Sequence, residues 1–294
     1  MTDMADPLAL QRHALVSRLV ERNPVLSRLI ARHDYATFER LMGESRASGT
    51  YHLSRRAAAF LAAVPAETRT DYVKGFVLTL GGSLRRRFAR SGLPAEFLER
   101  YRACFARMYD EIADEAFVAD PASDVCVKDL ALATLTLVPC AAVMHLPGVG
   151  IGRKMLIGAG PAAWRTVLRV GARGPFLEQH VHTPTLASTF NAAGFEESYA
   201  LAARLLRADK RLRGIFGTSW FYDPAAIALS PRLGFLREPE RKGGHFFRVG
   251  PDAESRALAL ATSPTRREAV AAGRYQPCRY GLIWPRADVL RHYG

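Results

Sequence analysis

Asp223-Pro-Ala-Ala-Ile-Ala-Leu-Ser-Pro-Arg-Leu-Gly-Phe235 is the stretch on which the reading of this chain turns. Residues 224–235 read as a helix set between two strands, an aromatic-rich one at 214–221 and a second at 244–249. Upstream, 176–182 reads as a further strand. Residues 195–207 read as a helix whose Phe195, Tyr199, Ala202, Leu205 and Leu206 fall on one side. Near the end of the chain, 280–284 supplies another strand. The order strand, helix, strand, helix, strand, strand is an α/β alternation with an antiparallel finish.

The first 120 residues have a different character. From Leu8 to Phe117 the pattern is helical, and over 96–116 the side chains Phe97, Tyr101, Phe105, Met108 and Ile112 recur every three or four positions as one apolar stripe. The basic run Arg85-Arg86-Arg87 reads as a solvated face near a helix end. After Asp120-Pro121 glycines begin to punctuate the chain, and 135–144 reads as the start of the sheet. The expected division is therefore a helical region over 1–120 and a sheet-bearing domain over 121–294. Gly148-Val-Gly-Ile-Gly152 lacks the rest of any nucleotide fingerprint. With 155–157 read as a strand, the glycines are expected to form a hairpin turn.

The 294 residues are 49% hydrophobic and 23% charged, the balance of a folded globular protein. The apolar run 130–146 is broken by Pro139 and is too short to span a bilayer, and the first twenty residues do not read as a signal peptide, so no membrane span and a cytoplasmic location are expected. Cys104, Cys126, Cys140 and Cys278 form no pair at metal or disulfide spacing and read as buried thiols. The net charge of +13 suits an acidic partner or reflects a general arginine bias.

With these elements in place, 175–250 resembles the acyl-donor half of GNAT-type N-acyltransferases. Ala226, Leu229, Leu233, Gly234 and Phe235 agree with that family's Asn-x-x-Ala-x-x-Leu-Tyr-x-x-Leu-Gly-Phe pattern. Asp223 replaces its asparagine, and Ser230 its tyrosine, often the general acid toward the departing thiolate. Asn191-Ala-Ala-Gly194-Phe-Glu196 occupies the place of the family's pyrophosphate loop, with Gly194 kept and Glu196 a mismatch. The resemblance implies an α+β fold: a GNAT-like mixed, mostly antiparallel sheet flanked by helices, behind an all-helical N-terminal region. It also implies donor binding by Asn191, Gly194 and Ser230. A carboxylate at Glu196 is expected to satisfy the helix terminus and repel a diphosphate, which favours an acyl carrier protein over free coenzyme A, as in relatives similar to autoinducer synthases and N-acyl amino acid synthases.

Acyl transfer to an amine needs a base, an open slot for the thioester and donors for the oxyanion. GNAT enzymes often place a glutamate on the fourth strand, and Glu178 stands on the matching strand here. Strand alternation puts Glu178, His180 and His182 on one face, with Glu178 or His180 as base and His182 toward substrate. Such a trio could also ligate a metal, and His-x-His-Thr-Pro resembles JAMM metalloproteases, but their aspartate is missing and no metal is assigned. Ser219, Trp220 and Phe221 are candidates for a substrate wall, with Tyr222 as a replacement general acid. No tightly bound cofactor is expected; the co-substrate is an acyl thioester of phosphopantetheine or coenzyme A.

Three functions compete on this reading. The first is an N-acyltransferase acting on a small-molecule amine. The second is a transferase of the same fold that takes its group from aminoacyl-tRNA, for which the basic charge is equally suitable. The third is a non-catalytic GNAT-like binding module, which an absent opening between the two central strands would favour.

Overall fold

The computed structural model describes residues 6–171, 173–261 and 263–294. The chain forms two compact units, Met1–Pro139 and Cys140–Gly294. The boundary thus falls later than the break at Asp120-Pro121, because the helix Asp124–Ala133 belongs to the first unit.

The first unit is helical. Its central helix, Ala66–Gly82, buries Tyr72, Val73, Lys74, Gly75, Phe76, Val77, Leu78 and Leu80, so that it is enclosed on nearly all sides. The helix Phe97–Ala113 presents the expected stripe of Phe97, Tyr101, Phe105 and Met108, joined by buried Tyr109. Arg85-Arg86-Arg87 is not uniformly solvated. Arg87 is tucked in, donating to the carbonyl of Ala133 at 2.7 Å and pairing with Glu39 at 2.8 Å.

Six strands form one mixed sheet: β1 Val138–Cys140, β2 Val143–Val149, β3 Phe176–His180, β4 Gly214–Ser219, β5 His245–Gly250 and β6 Arg279–Pro285, in the order β1-β2-β3-β4-β6-β5. β3 and β4 run parallel, while β2 with β3, β4 with β6 and β5 with β6 are antiparallel. The glycine-rich stretch after β2 departs from the expected hairpin. Gly148, at φ +95°, sits at a register shift between Pro147 and Val149, and the chain then enters a helix, Arg153–Ala159, in place of the strand that the sequence suggests over 155–157. No helix among the described residues is long and apolar enough to cross a membrane.

Each sheet face has its own cover. Phe176, Phe216, Phe247 and Ile283 point to one face and pack with Leu156 of that helix and with Ala163 and Val167 of the helix Pro161–Val170. Within the sheet, the ring of Phe247 lies over its register partner Gly281, where a side chain would run into it at 2.3 Å. The opposite face is covered by Ala192–Ala208, which buries Phe195, Tyr199, Ala202, Leu205 and Leu206, the stripe visible in the sequence. Tyr199 meets Trp284 of β6 edge-on at 5.0 Å.

Candidate active site

The parallel ladder between β3 and β4 is short. Its rungs are Leu177↔Ile215 and Glu178↔Phe216. Both strands continue, but only against their outer neighbours: β3 stays paired to β2 as far as His180↔Met144, and β4 to β6 as far as Ser219↔Tyr280. The inner edges of His180 and of Thr218-Ser219 therefore face one another without a rung. An interrupted ladder inside a sheet opens a slot between the strand edges, bordered on the β4 side by backbone groups of Thr218-Ser219 that no β3 rung takes up.

Glu178 and His180 stand beside this gap on one face, with His180 Nε2 3.1 Å from Glu178 Oε2. Both side chains are about one-fifth exposed, at 21% and 17%. A carboxylate that accepts from an imidazole fixes the tautomer of the ring and the direction of its second nitrogen, as a proton-accepting dyad requires. His182 does not join them on the strand face. β3 ends at His180, and His182 is buried at the extended residue that precedes the helix Thr183–Thr189, so the alternation does not reach it. Among the described residues no group of three His, Cys, Asp or Glu side chains could hold a metal ion.

Gln179 points to the other face and donates to the Tyr222 hydroxyl at 3.0 Å. Tyr222 is fully buried, and burial pushes its phenol well above the usual range. His145 is the register partner of Gln179 and is buried too, with neither ring nitrogen hydrogen-bonded among the described residues. Burial, reinforced by His180, pushes its pKa down to about 3. A histidine on a short apolar strand gave no signal of this in the sequence.

The strand read over 214–221 stops at Ser219. The hydroxyl of Ser219 accepts from the Phe221 amide, and Trp220–Tyr222 coils into a single 3-10 turn. Trp220 is thereby directed toward the cluster of Ala226, Ala269 and Tyr275, beneath the guanidinium of Arg266 at 4.6 Å from its ring. Phe221 instead meets Phe190 at 5.7 Å, and Phe190 in turn meets Phe195 at 5.3 Å and Phe235 at 5.8 Å. Phe235 of the Leu-Gly-Phe motif thus joins an aromatic group at the start of the helix Ala192–Ala208.

That helix begins with Asn191, whose side chain accepts from the Gly194 amide at 2.9 Å. Gly194 is required by packing, since a Cβ there would lie 2.0 Å from the carbonyl oxygen of Thr189. Glu196 does not fold back on the helix terminus as expected. Its carboxylate takes Lys242 Nζ at 3.2 Å and the Tyr293 hydroxyl at 2.8 Å. Ser230 is also engaged elsewhere, accepting from Arg266 at 2.8 Å within the core, so its hydroxyl is not presented to the gap. Cysteine chemistry finds no support at two positions: burial pushes the Cys104 thiol up to about 11 and the Cys126 thiol up to about 12.

The sequence matches no protein-family description and no curated protein. The fold does have counterparts among solved structures. An acyltransferase in complex with CoA and 10C-teicoplanin superposes with a TM-score of 0.55 at 14% identity, over 90% of this chain and 80% of that one. An acyltransferase in complex with decanoyl-CoA gives 0.53 at 16% identity over the same shares, and one bound to decanoyl-CoA and teicoplanin gives 0.52 at 16%. At such identities the likeness is one of fold.

Proposed function

We propose that this chain is a GNAT-like N-acyltransferase that moves an acyl group from a coenzyme A thioester to the amine of a small molecule. The observation that carries the reading is the interrupted ladder between β3 and β4, with the Glu178–His180 pair at its edge. A mixed sheet with one parallel pair at its centre, the Leu-Gly-Phe motif against the Ala192–Ala208 helix, and the fold shared with acyltransferases bound to acyl-CoA support it. Within this reading Cys140–Gly294 is the GNAT-like unit.

The chemistry follows from the groups present. The thioester lies in the gap, and amide N–H groups on its inner edges receive the oxyanion as the amine adds to the carbonyl carbon. Glu178, directly or through His180, takes the proton of the incoming ammonium. The C–S bond then breaks, and the departing sulfur takes up the second proton shed by the adduct nitrogen and leaves as the thiol. An ordinary thiol titrates near 8.5, so this leaving group needs little acid assistance, and we assign Tyr222 the role of bracing Gln179 beneath the gap. Phe221 and Phe190 form an apolar wall for the acyl chain or acceptor, with Ser219 and Trp220 shaping the turn between strand and wall.

The donor is read as coenzyme A because Glu196 is paired with Lys242 and does not confront a phosphate at the helix start. Asn191 and Gly194 organise that terminus, whose remaining first-turn amides suit a diphosphate. The charge of +13 serves a polyphosphate donor as well as an acidic carrier protein.

The test is intact-mass detection of product with acetyl-, octanoyl- and decanoyl-CoA, acyl carrier protein and aminoacyl-tRNA as donors. The amines offered are amino acids, amino sugars and teicoplanin. Product from acyl-CoA that disappears in Glu178→Gln is expected. Product from carrier protein or tRNA alone overturns the donor, and none from any donor overturns the enzyme.

A further inference from the structure

The helices Arg153–Ala159 and Pro161–Val170 are seated on the sheet by Leu156, Ala163 and Val167, which pack with Phe176, Phe216, Phe247 and Ile283. Surface helices of a soluble domain turn polar residues outward, and these two depart from that rule. Ile157, immediately after the buried Leu156, is 72% exposed. Trp164 and Leu168, four positions apart and so on one side of the second helix, are 36% and 74% exposed. A lone exposed apolar residue needs no explanation, but three within twelve residues, on two helices resting on the same core, form a face that water covers poorly.

The charge on this segment has one sign. Residues 150–177 carry Arg153, Lys154, Arg165, Arg169 and Arg173, and the chain has no Asp or Glu between Asp129 and Glu178. Arg169 is tied down by Asp288 at 3.2 Å. Arg153, Lys154 and Arg165 are exposed, and among the described residues no carboxylate pairs with them. Asp252 follows β5, against which the first of the two helices rests, and it is taken by Arg279 at 3.6 Å. Aliphatic and indole side chains beside unpaired cations, on short helices lying flat against a domain, match the headgroup layer of an anionic membrane. The apolar groups enter the acyl boundary there and the cations stay with the phosphates.

We propose that this face docks on an anionic phospholipid bilayer, with Ile157, Trp164 and Leu168 between the headgroups and Arg153, Lys154 and Arg165 on the lipid phosphates. The protein lies on such a surface and does not cross it. Strand alternation puts Glu178 and His180 on the same sheet face as Phe176, the face these helices cover, so the bilayer lies on the side of the sheet that carries the pair. Docking is independent of the acyl-transfer reading, because it needs neither Glu178 nor the gap between β3 and β4.

The test is co-sedimentation of the full chain with vesicles of equal parts phosphatidylglycerol and phosphatidylcholine, against vesicles of phosphatidylcholine alone, with no acyl donor present. Binding to the anionic vesicles that weakens as salt is raised, with little binding to the neutral ones, is expected. One cation at an anionic surface contributes about fivefold in affinity, so Arg165→Glu is expected to weaken binding by about twenty-five-fold. Arg55→Glu makes the same charge change at an exposed position of the helical unit and is expected to alter binding by less than about twofold, that charge being screened from the surface. Brominated phosphatidylcholine in the anionic vesicles is expected to quench tryptophan emission of the native chain, and Trp164→Phe to remove most of the quenching, since Trp284 is buried. No binding to anionic vesicles, equal binding to neutral ones, equal losses in Arg55→Glu and Arg165→Glu, or quenching that persists in Trp164→Phe overturns the proposal. So does a dimer of the free chain that Leu168→Glu dissociates, which makes a second copy the cover of this face. Each of these results leaves the acyl-transfer reading standing.

Discussion

Glu196 gives its carboxylate to Lys242, at 3.2 Å, and not to the amide end of its own helix. The two groups are partly solvated, with side-chain exposures of 55% and 20%, so the pair is a surface tie and contributes at most about 1 kcal/mol. Glu196→Gln is therefore expected to change acyl-CoA affinity by less than about twofold. A marked gain in affinity, measured by titration with a non-hydrolysable CoA analogue, would show that the carboxylate does repel the diphosphate.

Glu178→Gln removes the proton acceptor and keeps the shape. We expect the rate of transfer to fall by about 10²- to 10⁴-fold, with the donor Kd and the thermal unfolding midpoint little changed. Single-turnover intact-mass kinetics measures the rate. A variant that retains the wild-type rate places the base elsewhere, His180 being the next to remove.

Ser230 accepts from a guanidinium that is 1% exposed. Ser230→Ala leaves that donor unmatched in the core, which costs about 1–3 kcal/mol, read as a lower midpoint in chemical denaturation. Donor affinity is expected to be unchanged. A loss of transfer without a loss of stability would instead return Ser230 to the donor site.

His145 supplies a pH dependence with a definite sign. Its folded pKa is about 3, against an ordinary 6.5. Between those values the unfolded chain binds a proton that the folded chain refuses, so stability is complete above about 6.5 and declines as pH falls toward 3. Denaturant titrations at pH 7, 5.5 and 4.5 are expected to show a smaller decline in His145→Leu than in the wild type. Parallel declines would mean that His145 is not the group responsible.

Much of the second unit could be read from its sequence, because the 3.6-residue stripe from Phe195 to Leu206 and the short runs at Phe176 and Tyr280 depend on burial alone. Positions decided by local polar contacts could not be read in this way. The strand read through Trp220 and Phe221 ends early because the Ser219 hydroxyl takes the Phe221 amide and winds the chain into a turn. The same reading carried to His182 fails because β3 ends at His180. Met155 to Ile157 is apolar enough for either strand or helix, and the cluster that buries Leu156 against Phe176 and Phe216 chooses the helix. Glu178 beside His180 was legible. The interruption of the ladder next to them was not, because pairing between strands is a property of the assembled sheet.

Phe190, Phe195, Phe221 and Phe235 reach one another from separate parts of the chain: the entry to a helix, the turn after β4, and the segment that closes the Leu-Gly-Phe motif. Rings in mutual contact share their free volume, so trimming one changes what its neighbours can tolerate. On the proposed reading, retuning this wall for a longer or bulkier chain is a matter of paired changes, with single substitutions passing through less active forms. Laboratory evolution of specificity here should begin from double libraries.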